Sequence, residues 1–303
     1  RAMERTLELA PDCVGAMVGI AVSLLNEDKV AEALTMLKRA YELDPYNASV
    51  LNHLADHYFN KGDFAKAEKL ARRAHDSSDH HAAKAIVAQS CYHIARCHHA
   101  QENYAGALQF YKESVQNNPS YLAPQFGLGQ MYLANKDLVK AAACFEKVLK
   151  ASPDNVNALK ALGHLYTKMD KDGKELGGAG KEGREAAALQ KLQKATELEP
   201  TDVAAWIELA KLQQKMGFAK LPAALKAYEK AAGQLRKSGG HATAELWNNI
   251  GALRHRLGKL DSAEQAYGRR PLWSSRTSAR LTPSFGGFGL GGRAHPTGTA
   301  TPS

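Results

Sequence analysis

The sequence predicts an all-α fold: a right-handed superhelical solenoid of about seven helix pairs, followed by a disordered C-terminal tail. Three observations predict it. The chain has an internal period of 34 residues, small side chains hold two positions of that period, and its 303 residues are rich in alanine and leucine but only 7% aromatic. With few β-branched residues, that composition favours close-packed helices over sheet.

The period comes from the prolines. Pro11 and Pro45 each close an apolar helical stretch, as do Pro119 and Pro153, and each pair is 34 residues apart. A helix–turn–helix unit of that length is the tetratricopeptide repeat (TPR). Units begin at Val14, Ala48, Ala88, Leu122, Val156, Val203 and Ala244. At the eighth position the first helix touches its partner, so the residue must be small; it reads Ala21, Ala55, Ala95, Gly129, Gly163, Ala210 and Gly251. The seventh position supplies the apolar knob beside it: Ile20, Leu54, Ile94, Leu128, Leu162, Leu209 and Ile250. The second helix has its own small position, Ala33, Ala67, Ala107, Ala141, Ala188, Ala224 and Ala263. Four residues on, and so on the same face, stand Leu37, Ala71, Tyr111, Phe145, Leu192, Tyr228 and Tyr267. Because the large residues keep register too, alanine content alone does not account for the pattern.

Turns fall where paired helices part, at Asn26-Glu27-Asp28, Lys61-Gly62-Asp63, Gln101-Glu102-Asn103, Asn135-Lys136-Asp137 and Gly258-Lys259. These are the Gly/Asn/Asp-rich signals of helix ends. Residues 1–13 read as the second helix of a preceding truncated repeat, and 14–267 as the TPR solenoid. The period is interrupted by about six extra residues near Ser78 to Val87 and two near Phe218 to Pro222. A third interruption adds about thirteen, in the Lys/Gly-rich stretch Asp170 to Arg184 (170–184), which is expected to form a flexible loop. From Gly268 the helical pattern stops in mid-helix, and 268–303, rich in Gly, Pro, Ser and Thr, reads as a disordered low-complexity tail. An uncapped last repeat is expected to fray. The chain begins at Arg1 rather than methionine and reads as a piece of a longer protein.

Charge narrows the function classes. The net charge of +9 invites a nucleic-acid reading, but Arg269, Arg270, Arg276, Arg280 and Arg293 lie in a tail without acids. The first 268 residues hold 35 basic and 31 acidic residues, a balance of +4 and an ordinary solvated surface. Direct nucleic-acid binding is therefore not expected, unless through the tail. Four scattered cysteines, Cys13, Cys91, Cys97 and Cys144, make no disulfide framework and suit a reducing compartment. The longest nearly apolar run, Val14 to Leu25, is shorter than the ~18–20 residues of a membrane span.

Catalytic motifs are wanting. Residues 287–292 satisfy G-x-G-x-x-G but sit in the tail, with neither the strand nor the helix a dinucleotide site requires. Residues 177–183 lack the glycine spacing of a phosphate loop, and Glu182 stands where Ser or Thr belongs. His75, His80, His81, His93, His98 and His99 lie near Cys91 and Cys97 in sequence. Of these, His93 and Cys97 share a helix face, but a structural zinc site needs four ligands, and Cys91 falls in a packing slot. No catalytic residue, cofactor or metal is expected.

What remains is the concave surface lined by the first helices. Its exposed fifth and ninth positions include Asn52, Asp56, Tyr92, Arg96, Phe126, Gln130, Lys160, His164, Lys211 and Asn248. Mixed polar, charged and aromatic residues there suit an extended or helical peptide. The chaperone-tail clamp needs asparagine at the ninth position, which reads Val22, Asp56, Arg96, Gln130, His164, Lys211 and Ala252. A chaperone-tail receptor is not expected.

Several stretches exceed the generic repeat: CVGAMVGIAV (13–22), LNHLADHYFNKGDF (51–64), SCYHIARCHHAQENYAGALQFY (90–111), FGLGQMY (126–132), CFEKVLKASPDN (144–155), DVAAWIELAKL (202–212) and LWNNIGALRHRLGKL (246–260). Together, over essentially residues 1–267, they resemble the large TPR subunit of the RNA polymerase II-associated factor (Paf) complex, the Ctr-nine family. FGLGQMY and DVAAWIELA are the most specific, since the eighth-position rule explains Gly129 and Ala210 but not Gln130 or Ile207-Glu208. The resemblance implies a nuclear, non-catalytic scaffold whose partners are other subunits of that complex and RNA polymerase II. It further implies a role in transcription elongation and co-transcriptional histone modification. The other reading of the repeat alone is the substrate-recruiting arm of a truncated enzyme such as a protein glycosyltransferase.

Overall fold

The computed structural model describes residues 2–78, 84–168 and 181–268, and every regular element among them is helical. A lone helix α1 (Ala2–Leu9) precedes seven pairs. These are α2 (Val14–Asn26) with α3 (Val30–Leu43), α4 (Ala48–Asn60) with α5 (Phe64–Asp76), and α6 (Lys84–Ala100) with α7 (Tyr104–Asn117). Then follow α8 (Leu122–Ala134) with α9 (Leu138–Ala151), α10 (Val156–Lys168) with α11 (Lys181–Leu198), α12 (Val203–Lys215) with α13 (Leu221–Lys237), and α14 (Ala244–Arg256) with α15 (Leu260–Gly268).

The small positions are a steric requirement. A Cβ on Gly129 would lie 2.7 Å from the Phe145 ring, one on Gly163 2.7 Å from Leu192, and one on Gly251 2.5 Å from Tyr267. The eighth residue of each of these first helices therefore faces the large residue of its own second helix. Where that position is Ala21, Ala55, Ala95 or Ala210, the side chain is fully buried. Successive units lock in the same way: a Cβ on Gly127 would meet the Tyr111 ring of the preceding unit at 2.4 Å. Gly19 occupies the corresponding place and meets Met3 of α1. Met3 stands one period before Leu37, so α1 packs as the second helix of a preceding unit would.

Five of the turns between paired helices repeat a single geometry, and the sixth, at Gly217, is extended with ψ −178°. The fifteenth residue of six units has positive φ: Asp28 (62°), Gly62 (81°), Glu102 (62°), Lys136 (61°), Gly217 (107°) and Gly258 (76°). At Gly62, Glu102 and Lys136 its N–H and the next residue's bond back to the closing carbonyls, as in Gly62 N to Phe59 O at 2.9 Å and Asp63 N to Tyr58 O at 3.0 Å. The next residue then caps the second helix: the side chains of Asp63, Asn103 and Asp137 accept from Lys66, Gly106 and Lys140 N–H. Two residues thus stop one helix and start the next.

The first helices begin at the expected residue in six units and four residues early in one. α6 starts at Lys84, so part of the extra sequence between α5 and α6 is helical. The extra residues at 218–222 form a 3-10 turn, Phe218–Lys220, and the start of α13. Of the expected flexible loop 170–184, residues 181–184 are instead the first turn of α11, and 170–180 lie outside the described residues. Tertiary packing explains the extension: Ala188, Leu192 and Ala195 are fully buried and anchor α11, and Gly183 sits in the first turn, where glycine costs least. The tail 269–303 is likewise outside the described residues.

Candidate functional site

First helices of successive units touch one another, α4 with α6, α6 with α8 and α10 with α12. They form the row that carries the ten sequence-predicted binding positions, and the structure divides those ten.

In the second and third units they are already engaged. Arg96 of α6 is 6% exposed; its Nη1 donates to Asp56 Oδ1 of α4 at 2.7 Å and its Nη2 to Asn60 Oδ1 at 3.4 Å. The guanidinium lies 3.8 Å from the Phe59 ring centroid and 5.3 Å from that of Tyr92, two aromatic neighbours that favour a planar cation. Tyr92 is buried against Tyr111 and Tyr121. Asn52 is buried as well, its Nδ2 donating to Ile86 O at 3.3 Å. Asn52, Tyr92 and Arg96 were expected to be exposed, and this corrects the expectation. The extra N-terminal turn of α6 carries Ile86 to Asn52, and large aromatic residues close over the row here.

The sequence marks His93 only as a possible metal ligand; it is buried beside this cluster with Nδ1 4.0 Å from Asp56 Oδ1. Burial, with Arg96 adding, pushes its pKa down to about 4. Burial also lowers the imidazole of His53, against an opposing pull from Asp56. Asn52 Oδ1, His93 Nδ1 and Arg96 Nε are buried with no hydrogen-bond partner among the described residues.

Further along, the positions open. Phe126 is half-buried with its ring 5.3 Å from Phe145, and Gln130 is half-buried. Lys160 of α10 pairs with Asp202, which also caps α12 by accepting from Ala205 N–H. His164 Nδ1 lies 2.8 Å from Glu208 Oε2 of α12, and Lys211 Nζ lies 3.4 Å from Glu208 Oε1. Burial would raise the Glu208 carboxyl, but its hydrogen bond and attraction to His164, with Lys211 adding, outweigh this and hold it low. Lys211 and Asn248 are exposed. Asp202 and Glu208 were not singled out, although Glu208 lies in a stretch the repeat rule leaves unexplained.

Outside this row, a cleft of about 400 Å³ opens between α3, α4 and α5, lined by Leu34, Tyr41, Leu54, Tyr58 and Leu70 with Lys38, Lys61 and Lys66 around them. His75, Cys91 and Glu113 also converge, from α5, α6 and α7. The expected face-sharing pair His93 and Cys97 belongs to no such grouping among the described residues.

Helix pairs with a small-residue seam, left-handed turns and first helices that touch from unit to unit define a TPR protein. The tetratricopeptide-repeat family matches at residues 24–89 and 98–165, and a second tetratricopeptide-repeat family at 244–269. A solved structure of PilF from Pseudomonas aeruginosa superposes with a TM-score of 0.56, covering 83% of this chain and 96% of that one; at 17% identity the likeness is of fold alone. Among curated proteins, Arabidopsis thaliana protein CTR9 homolog is 34% identical over 270 residues, 87% of this chain and 23% of that one. Caenorhabditis elegans RNA polymerase-associated protein CTR9 is 31% identical over 301 residues, 97% of this chain and 25% of that one. The chain belongs to the CTR9 family of TPR proteins and spans about a quarter of the length of these relatives. The nematode match extends beyond the expected limit of residues 1–267, since those alone fall short of 97% of the chain. The human protein O-mannosyl-transferase TMTC2 is 29% identical over 126 residues, 41% of this chain. No helix among the described residues is long and apolar enough to cross a membrane.

Proposed function

We propose that this chain is a non-catalytic, nuclear protein-interaction scaffold of the RNA polymerase II-associated factor complex. In that role it supports transcription elongation and co-transcriptional histone modification. The observation that carries the proposal is the length of the match: a relative named for its association with RNA polymerase aligns along 97% of the chain, through every repeat. The fold supplies the physical means. A solenoid presents a long row of first helices, and the row from Gln130 to Asn248 offers half-buried and exposed polar groups to an extended or helical partner segment.

The similarity to protein O-mannosyl-transferase TMTC2 favours the second reading, an enzyme's substrate-recruiting arm, but it covers 41% of the chain. Affinity purification of the tagged native protein, followed by mass spectrometry, separates the two. Recovery of polymerase II with the other subunits of its associated-factor complex supports the scaffold. Recovery of chaperones, or of mannosyl-transferase activity without polymerase, overturns it.

A further inference from the structure

We propose that His75, Cys91 and Glu113 form a binding site for a zinc-class divalent cation at the joint between the second and third units. The three residues come from three helices, α5, α6 and α7, and their ligand atoms lie within 4.8 Å of one another. His75 Nε2 is 3.2 Å from Glu113 Oε1. The other ring nitrogen, Nδ1, is 3.5 Å from Asp76 Oδ1, the outer carboxylate that commonly orients a metal-bound imidazole.

The arrangement has a floor and an entrance. Cys91 is fully buried, while the side chains of His75 and Glu113 are 32% and 36% exposed. A cation enters from solvent between the latter two and meets the sulfur beneath, leaving a fourth position for water. Zinc bonds of about 2.0–2.3 Å set tetrahedral ligands some 3.3–3.8 Å apart; His75 and Glu113 already stand that close, and the widest separation in the group must close by no more than about 1–1.5 Å. Rotation of the partly exposed His75 and Glu113 side chains supplies that movement.

The donor set selects the ion. A thiolate and an imidazole favour zinc over magnesium or calcium, which take oxygen ligands. As the metal–sulfur bond forms, the S–H bond of Cys91 breaks and its proton passes to the buffer. Thiolate and carboxylate then neutralise the dication, and no electron is transferred. The bound ion ties α5 to α6 and α7 where extra sequence interrupts the period, clamping the second unit onto the third.

The test uses the untagged chain, stripped with chelator under reducing conditions and titrated with zinc chloride. One zinc per chain is expected by native mass spectrometry, with a rise in melting temperature. With cobalt(II) as the spectroscopic substitute, a thiolate-to-metal charge-transfer band is expected. His75→Gln and Glu113→Gln, both at partly exposed positions, should each weaken zinc by more than the ~10–100-fold that loss of an outer-shell partner causes. Asp76→Asn should weaken it about 10-fold, and Cys97→Ala should leave it unchanged. Cys91→Ala should abolish the cobalt band; if that variant does not fold, the His75 and Glu113 variants still decide. Absence of stoichiometric uptake, uptake indifferent to His75→Gln and Glu113→Gln, or a cobalt complex without the band would each overturn the proposal.

Discussion

The first-helix row changes character along its length. Between α4 and α6 its side chains are turned to internal use: Arg96 lies against Phe59 and Tyr92 and is paired with Asp56, and Asn52 is covered. Between α12 and α14 the same repeat positions carry Lys211 and Asn248, both exposed. The middle, with Lys160 and Asp202 paired and His164 beside Glu208, is intermediate. Identical positions in the repeat therefore serve as braces in one region and remain accessible in another. Polarity at a concave position does not by itself mark a binding residue.

The sharpest way to break the comparison is to remove the brace. Arg96→Leu should destabilise the fold by about 3 kcal/mol, through lost stacking and an Asp56 carboxylate left without its cation. Asp56 is 43% exposed, which keeps the cost below that of a fully buried pair. Urea unfolding followed by circular dichroism measures it, and a loss no larger than that of Lys211→Ala would show that the two ends do not differ.

Acid should act on the same region next. His93 has its folded pKa lowered to about 4, so the folded state binds fewer protons than the unfolded one below the ordinary histidine value. The stability is fully present above the ordinary histidine value of ~6.5 and is lost progressively as pH falls from there through the lowered folded value. His53 and His99, also lowered by burial, act in the same direction. Melting curves across that range should flatten in His93→Gln.

A smaller loss is expected in the middle. Asp202→Ala removes both the cap on α12 and the partner of Lys160, for about 1–2 kcal/mol. Asp202→Asn keeps a capping oxygen and should recover roughly half of that.

The smallest effect on stability belongs to the accessible end. Lys211→Ala and Asn248→Ala should each change unfolding free energy by no more than about 0.5 kcal/mol. If the open end of the row holds the partner, the double variant should lose co-purifying subunits while melting normally. Retention of every subunit would remove these two residues from the interface.

The sequence by itself determined the repeat. The period, the small-residue seam and the start of six first helices were legible because each unit packs on itself and its nearest neighbour. One seam contact fixes one residue type, as Gly129 against Phe145 and Gly251 against Tyr267 require. Even the left-handed turn was signalled, by Gly62 and Gly258, although Glu102 and Lys136 adopt the same conformation without announcing it. Only the tertiary structure decided which row positions are occupied and which are open. The ties that decide it join residues 34 to 44 apart: Asn52 to Ile86, Arg96 to Asp56, His164 to Glu208. Their formation depends on how far one unit is rotated and shifted against the next, and on a single extra turn at the start of α6. That offset is the sum of many side-chain contacts across a joint, and no residue in the repeat encodes it alone.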